Sequence, residues 1–304
     1  MKHLKTHTWA LLLLSLIFAA CDKFEGDVTI PSYLTINSIS VTDTPSDSWS
    51  NEDGFFTSLI ESAIVVIYVE GDTAETTLGF FQLPCRIPVL RNGNITRVNI
   101  YPVVCQDGIA SKRIPYPFYE SITLQNVNLT ADSVTNLGDL TTHYKSRQNM
   151  TVHFHEFFEP GPAHIMLDSV VQRCTDPTIV RSGYGCGVVH IDADQSSVSF
   201  WASKLDTISN SLYNLYLEMD YWSDIDFTVG LNNPVTQDGS NQIYSHETIF
   251  GRPEQGWKKI YINIGELWAN TYYYYPYIRL YFTLLNESGK SGNLYLDNIK
   301  LITI

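Results

Sequence analysis

Two stretches decide the fold class: Gly256-Trp257-Lys258-Lys259-Ile260-Tyr261-Ile262-Asn263-Ile264 and Asn293-Leu294-Tyr295-Leu296-Asp297-Asn298-Ile299-Lys300-Leu301. In each, apolar residues recur at every second position, the period of a strand with one face on a core. Working outward, the same period runs through Val198 to Ala202, Tyr213 to Tyr221, Phe227 to Leu231 and Tyr277 to Leu284. In the first half it runs through Tyr33 to Val41, Ala63 to Val69, Gly79 to Leu83, Thr96 to Tyr101 and Ile122 to Leu129. Gly, Pro, Asn and Asp punctuate these runs, and no long stretch carries a helical period. Glu266 to Asn270 reads as a single helical turn. Short, evenly spaced strands with turn signals between them predict an all-β chain built of sandwiches or closed barrels.

The alternation breaks at Thr141-Thr142-His143-Tyr144-Lys145-Ser146-Arg147-Gln148, which places a boundary between two domains there. Before it, Asn92-Gly93 is a hairpin signal, since both positions tolerate positive φ. Arg113-Ile114-Pro115-Tyr116-Pro117-Phe118-Tyr119-Glu120 combines two prolines with three aromatics, a stiff extended segment barred from a central strand. It either packs across a sheet edge or presents Tyr116, Phe118 and Tyr119 to a partner.

The amino terminus has the three parts of an export signal. Lys2 and Lys5 precede the apolar run Trp9 to Phe18, and Ala19-Ala20 stand before Cys21. The run falls short of the roughly 20 residues that span a bilayer. Removing residues 1–20 takes away two lysines and no acid. From 19 basic and 32 acidic residues this leaves 17 against 32, a net charge of −15. Such a surface repels phosphate backbones, which argues against nucleic-acid binding. Four further cysteines, Cys85, Cys105, Cys174 and Cys186, admit three pairings in an oxidising compartment. Local pairing, Cys85 with Cys105 and Cys174 with Cys186, is favoured over four buried thiols, and no spacing suggests zinc.

Four resemblances sharpen this reading. Ile17-Phe18-Ala19-Ala20-Cys21 resembles the lipobox of bacterial lipoproteins, which implies lipidation of Cys21 and stable anchoring through two or more acyl chains. The order Ile67-Tyr68-Val69-Glu70-Gly71-Asp72, Gly79-Phe80-Phe81-Gln82-Leu83-Pro84, Ile87-Pro88-Val89-Leu90 and Arg97-Val98-Asn99-Ile100-Tyr101-Pro102 resembles small Ig-like or PEGA-like sandwich modules. From Phe157 to Ile304, a tryptophan opening one alternating strand and a last strand reading Tyr-Leu-Asp-Asn-Ile-Lys-Leu resemble carbohydrate-binding-module and galactose-binding-like jelly rolls. Taken whole, with Cys21-Asp22-Lys23-Phe24-Glu25-Gly26-Asp27, Ile30-Pro31-Ser32-Tyr33-Leu34 and the aromatic run at 115–120, the chain resembles outer-membrane lipoproteins of the Bacteroidota. That likeness implies an outer-membrane location and leaves the face of the membrane open. The expected organisation is a signal peptide at 1–20, a lipidated tether at 21–30, an Ig-like sandwich at 31–145 and a jelly roll at 146–304.

The jelly-roll likeness also implies a structural calcium held by Asp297 in the last strand, with Glu159 as its early acidic partner. Calcium takes six to eight oxygen ligands, which two carboxylates with carbonyls and water would supply. His153-Phe154-His155-Glu156 is the most metal-like cluster, but it lacks a third ligand nearby. Trp222, Trp257, Trp268 and the run Tyr272, Tyr273, Tyr274 and Tyr275 form an aromatic-rich set. Sugars stack their C–H faces on aromatic rings, and exposed tyrosines also serve protein contacts. Glycan contact, protein contact and packing are all open to them. No nucleophile elbow, zincin helix or phosphate-binding loop is present. The pairs Asp192/Asp194 and Asp224/Asp226 fit glycosidase carboxylates only if they flank a cleft, and read more simply as polar strand edges. The expectation is a non-enzymatic accessory subunit that contacts outer-membrane proteins in an envelope complex through 113–120 and 272–275. The alternative is a surface glycan-binding protein that uses the jelly roll.

Overall fold

The computed structural model describes residues 30–43, 54–71, 74–90, 93–161, 164–202, 214–233, 242–245, 248–272 and 279–304. The signal at 1–20, Cys21, the tether up to residue 29, and Tyr273, Tyr274 and Tyr275 lie outside the described residues. The alternating runs form strands. The first half supplies β1 (Ser32–Ile36), β2 (Ser38–Val41), β3 (Ser62–Val69), β4 (Thr76–Gln82), β5 (Cys85–Val89), β6 (Gly93–Cys105), β7 (Arg113–Pro115), β8 (Ile122–Leu129), β9 (Val134–Asn136) and β10 (Asp139–Thr142). The second supplies β11 (Thr151–Glu156), β12 (Gln172–Cys174), β13 (Cys186–Ile191), β14 (Ser197–Trp201), β15 (Leu215–Ser223), β16 (Asp226–Asn233), β17 (Gln242–Ser245), β18 (Lys258–Asn263), β19 (Arg279–Leu285) and β20 (Gly292–Thr303). The turn expected at Glu266 to Asn270 is an eight-residue helix, α1 (Gly265–Tyr272). The Asn263 side chain opens it by accepting the Gly265 N–H at 3.0 Å.

In the first module, β4-β3-β6-β7 form a sheet with β8 also on β6. It packs over β5-β1-β9 and the pair β10-β2. The run read as one strand from Tyr33 to Val41 divides at Asn37: β1 joins β5 and β9, and β2 joins β10. Asn92 of the expected Asn92-Gly93 hairpin lies outside the described residues; of the strands that flank it, β5 pairs with β1 while β6 pairs with β3, β7 and β8. Ile87 and Val89 of β5 are buried in the first core.

The second module is a jelly-roll sandwich. A six-stranded sheet, β12-β13-β20-β15-β18 with β11 also on β20, faces the four-stranded sheet β14-β19-β16-β17. The inward residues of both sheets make one apolar core, in which the Phe200 and Phe282 rings stack at 4.9 Å with planes 3° apart. The six-stranded sheet is covered on its other side too. Tyr216, Tyr261 and Ile302 project outward from it into the core of the first module. A sheet dry on both faces joins the two sandwiches into one packed unit.

Candidate functional site

The outer face of the six-stranded sheet carries charge into the interior. Glu218 and Lys300 stand opposite each other on β15 and β20, and Asp220 stands opposite Lys259 of β18. All four are buried. The Glu218 carboxylate lies 3.1 Å from Lys300 Nζ and 3.5 Å from Lys259 Nζ. It accepts the Tyr116 hydroxyl at 2.8 Å and the Tyr144 hydroxyl at 2.7 Å. Burial raises its pKa, but the two lysines together with the Tyr144 and Tyr116 hydroxyls outweigh burial and hold it below the usual carboxylate range. Burial lowers Lys300 to about 8 against the opposing pull of Glu218. Lys300 Nζ donates to the Phe55 carbonyl at 2.5 Å and the Tyr144 hydroxyl at 2.6 Å, over the faces of both rings. The segment from Gly54 to Ile60 straps across this network. Thr57 donates to Asp220 at 2.6 Å, and the Leu59 N–H donates to the Tyr261 hydroxyl at 2.9 Å. Gly54 has a φ of +81°, and a Cβ there would sit 2.0 Å from Asn298 Oδ1, so only glycine fits.

This network accounts for the proline-aromatic run. Tyr116, Phe118 and Tyr119 are 3%, 0% and 4% exposed, wedged between the modules against Tyr216 and Tyr261. Of the two readings of this run, packing is the one that holds, and the expectation that the three rings meet a partner is corrected. The two prolines end the edge strand β7 and turn the three rings inward, where the tyrosine hydroxyls find Glu218 and Tyr261.

The remaining expectations divide. Trp268 on α1 is buried in the second core and is no contact residue. Tyr272 ends that helix. Trp222 is half-buried: its ring packs against Tyr295 at 5.5 Å and Trp257 at 6.5 Å, and its indole N–H donates to the Pro253 carbonyl. It pins a turn rather than standing free. Glu159 and Asp297, expected to hold calcium, each bond to the segment at 182–184 or its neighbours. Glu159 accepts the Tyr184 N–H at 2.6 Å. Asp297 accepts the Ser182 hydroxyl at 3.1 Å and the Asn298 N–H at 2.8 Å. Burial raises Asp297 to about 8, so it is largely a neutral donor–acceptor at pH 7. Among the described residues no three His, Cys, Asp or Glu side chains form a metal-holding group. In the histidine cluster, His153 bonds Thr303, His155 packs on Phe55 and Phe157, and Glu156 accepts the Phe158 and Ile165 N–H groups. Asp224 accepts the Asn293 N–H at the start of β20, and Asp226 accepts the Gly251 N–H. The four cysteines are thiols. Cys174 and Cys186 face each other in register across β12 and β13, a spacing that a disulfide spans. Cys85 and Cys105 belong to different sheets, opposite Ile36 and Arg113.

The surface that sequence reading missed is the outer face of the four-stranded sheet. On β14, Val198, Phe200 and Ala202 turn inward, so Ser199 and Trp201 turn out. On β19, Leu280, Phe282 and Leu284 turn inward, so Arg279, Tyr281 and Thr283 turn out. Registration sets these residues in rows: Trp201 beside Tyr281, Ser199 beside Thr283 and then Thr228, and Arg279 beside Asn232. Trp201 is 47% exposed. The Tyr281 hydroxyl donates to Ser199 Oγ at 2.7 Å, and Ser199 lies 3.1 Å from the Thr283 hydroxyl. The result is an aromatic pair with hydroxyls on one side and, on the other, the half-buried Arg279 guanidinium beside the buried Asn232 amide. The available signal was a tryptophan on the polar side of an alternating strand, a position water normally claims.

No protein-family model matches the chain, and no curated protein matches it. Among solved structures, the family 30 carbohydrate-binding module of a Clostridium thermocellum cellulosomal cellulase is similar, at 13% identity and a TM-score of 0.36, over 50% of this chain and 96% of that one. The CBM22-1 xylan-binding domain from Paenibacillus barcinonensis is similar at 13% identity and a TM-score of 0.35, over 51% of this chain and 96% of that one. A family 29 carbohydrate-binding module is similar at 13% identity and a TM-score of 0.32, over 51% of this chain and 91% of that one. What those modules bind is a property of those modules.

Proposed function

We propose that this protein binds glycan, without catalysis, on the outer face of its four-stranded sheet. The observation that carries the reading is the Trp201–Tyr281 pair, standing in register between a hydroxyl row and the Arg279–Asn232 row. A ring of C–H groups stacks on such a pair while its hydroxyls meet fixed donors and acceptors. The rows lie on adjacent strands of a packed sandwich, so little ordering entropy is lost on binding. The scaffold role has weaker footing, since the first of its two contact surfaces is interior. The test is a glycan array followed by calorimetry on wild type, Trp201→Ala and Tyr281→Ala. Each substitution is expected to weaken the best ligand at least tenfold while the melting temperature stays within a few degrees. Unchanged affinity in Trp201→Ala would sink the reading.

The lipobox at Cys21 belongs to the same proposal. Lipids at Cys21 would tether the sandwiches to the outer membrane and hold them at high local concentration against surface polysaccharide. Cys21→Ser is expected to move the protein from the membrane to the soluble fraction. Retention in the membrane would count against lipid anchoring.

A further inference from the structure

A cleft of about 360 Å³ opens between the two sandwiches, beside the edge strand β18. The first module closes one end of it. The Asp107 N–H donates to the Tyr261 carbonyl at 2.8 Å, and Asp107 Oδ1 accepts the Asn263 N–H at 3.1 Å. These bonds use the free edge of β18 at residues 261 and 263. By the two-residue alternation of a strand, the Lys259 N–H and carbonyl face the same side, toward the cleft.

The lining is unusual for a chain of net charge −13. Arg113, Arg252 and Lys258 converge on the cavity, and among the described residues none of them is in an ion pair. Arg113 lies 5.5 Å from the Phe80 ring, and Arg252 is close enough to Tyr221 to lower its pKa against the larger effect of burial. The acids of the lining do not cancel them. Asp107 is committed to Lys112 at 3.2 Å, which leaves Glu61, whose carboxylate accepts the Cys105 thiol at 3.9 Å. Phe250, 62% exposed, and Ile109 add apolar surface. Three like charges around one concavity repel one another, and a bound anion relieves that repulsion.

We propose that this cleft is a second binding site, for a carboxylate-bearing sugar residue of the hexuronate class. The guanidinium groups of Arg113 and Arg252 take the carboxylate, with Lys258 as a further counter-charge. Phe250 takes the C–H face of the ring, and Glu61 accepts a hydroxyl. The volume lies at the low end of small-molecule sites, which suits one or two sugar rings. The anion site stands on the cleft alone. Only the choice of a sugar as the carrier of the carboxylate rests on the glycan-binding reading.

The test is calorimetric titration of the full-length protein with trimers of galacturonate, glucuronate and mannuronate, and with neutral galactotriose, at low and moderate salt. At least one charged trimer is expected to bind, more weakly as salt rises, and the neutral trimer is not. Arg252→Ala and Arg252→Glu, at an exposed position, are expected to weaken the charged ligand at least tenfold, and Arg113→Gln likewise. Trp201→Ala is expected to leave it unchanged. Failure of all three charged trimers, equal binding of the neutral one, or wild-type affinity in Arg252→Glu overturns the proposal. A charged trimer that binds the cleft while the array is blank leaves this site standing and removes the outer-sheet reading. Array binding lost in Trp201→Ala, with no uronate binding, does the reverse.

Discussion

Glu218→Gln is expected to be the most damaging single substitution of nearly unchanged volume in this protein. It leaves the Lys259 and Lys300 ammonium groups, both buried, without their shared carboxylate. Removing one partner of a buried ion pair costs about 3–5 kcal/mol, because the remaining charge is stranded in a dry interior. For a chain of this length each kcal/mol moves the melting temperature by roughly 2–4 °C, so thermal unfolding should begin on the order of 10 °C earlier. The loss belongs to the stranded charge rather than to the amide. Glu218→Leu combined with Lys300→Met is therefore expected to recover part of it, as apolar replacement of buried ion pairs often does. Because Tyr116, Tyr144 and the Phe55 carbonyl all end on this network, both modules should lose stability together in one transition. A Glu218→Gln protein that melts like wild type, or a wild type whose halves unfold separately, would contradict this account.

The same residues show what alternation reveals and what it hides. Ile260, Ile262, Leu294 and Leu296 alternate with polar neighbours, and that pattern places the strands and the core of the second sandwich correctly. On the same strands it misleads. In Leu217-Glu218-Met219-Asp220 the acids read as a solvent face, yet they are dry, because Lys259 and Lys300 stand opposite them on strands distant in sequence. Only register brings those charges together, and register between distant strands is not written in local period. The proline-aromatic run was hidden for a related reason. Three bulky rings beside two prolines look like a display surface until a second module supplies Glu218 and Tyr261 for their hydroxyls. Trp201 was legible in principle. Val198 and Phe200 fix the inward side of its strand, so its outward direction follows from the alternation already read. Its significance comes from Tyr281, eighty residues later, which no spacing rule joins to it.

Asp297→Asn is expected to stabilise the protein, by an amount that grows with pH. Burial raises this carboxyl from 3.8 to about 8, and it faces Asp220 across β15 and β20. The folded protein therefore keeps a proton that the unfolded chain releases once pH passes about 4. The stability contributed by that bound proton is complete below about pH 4 and is lost as pH rises toward 8, at up to about 1.4 kcal/mol per pH unit. Asparagine resembles the protonated acid in size and neutrality, carries no proton to lose, and adds no charge beside Asp220. Its carbonyl still accepts the Asn298 N–H, and its amide can turn to the Ser182 oxygen. Other groups titrate nearby in pH. Burial lowers His153, whose contribution is lost as pH falls, and Lys300 falls to about 8, so its penalty is relieved only above that value. Both are present in either protein and cancel in the difference between the two. Urea unfolding of wild type and Asp297→Asn at pH 5, 6, 7 and 8 isolates the one carboxyl. The two curves should converge toward pH 4 and separate steadily above it. A difference independent of pH would mean that Asp297 is ionised in the folded state, with a cation or an unrecognised donor neutralising it, and the reading of Asp297 as a buried neutral acid would fall.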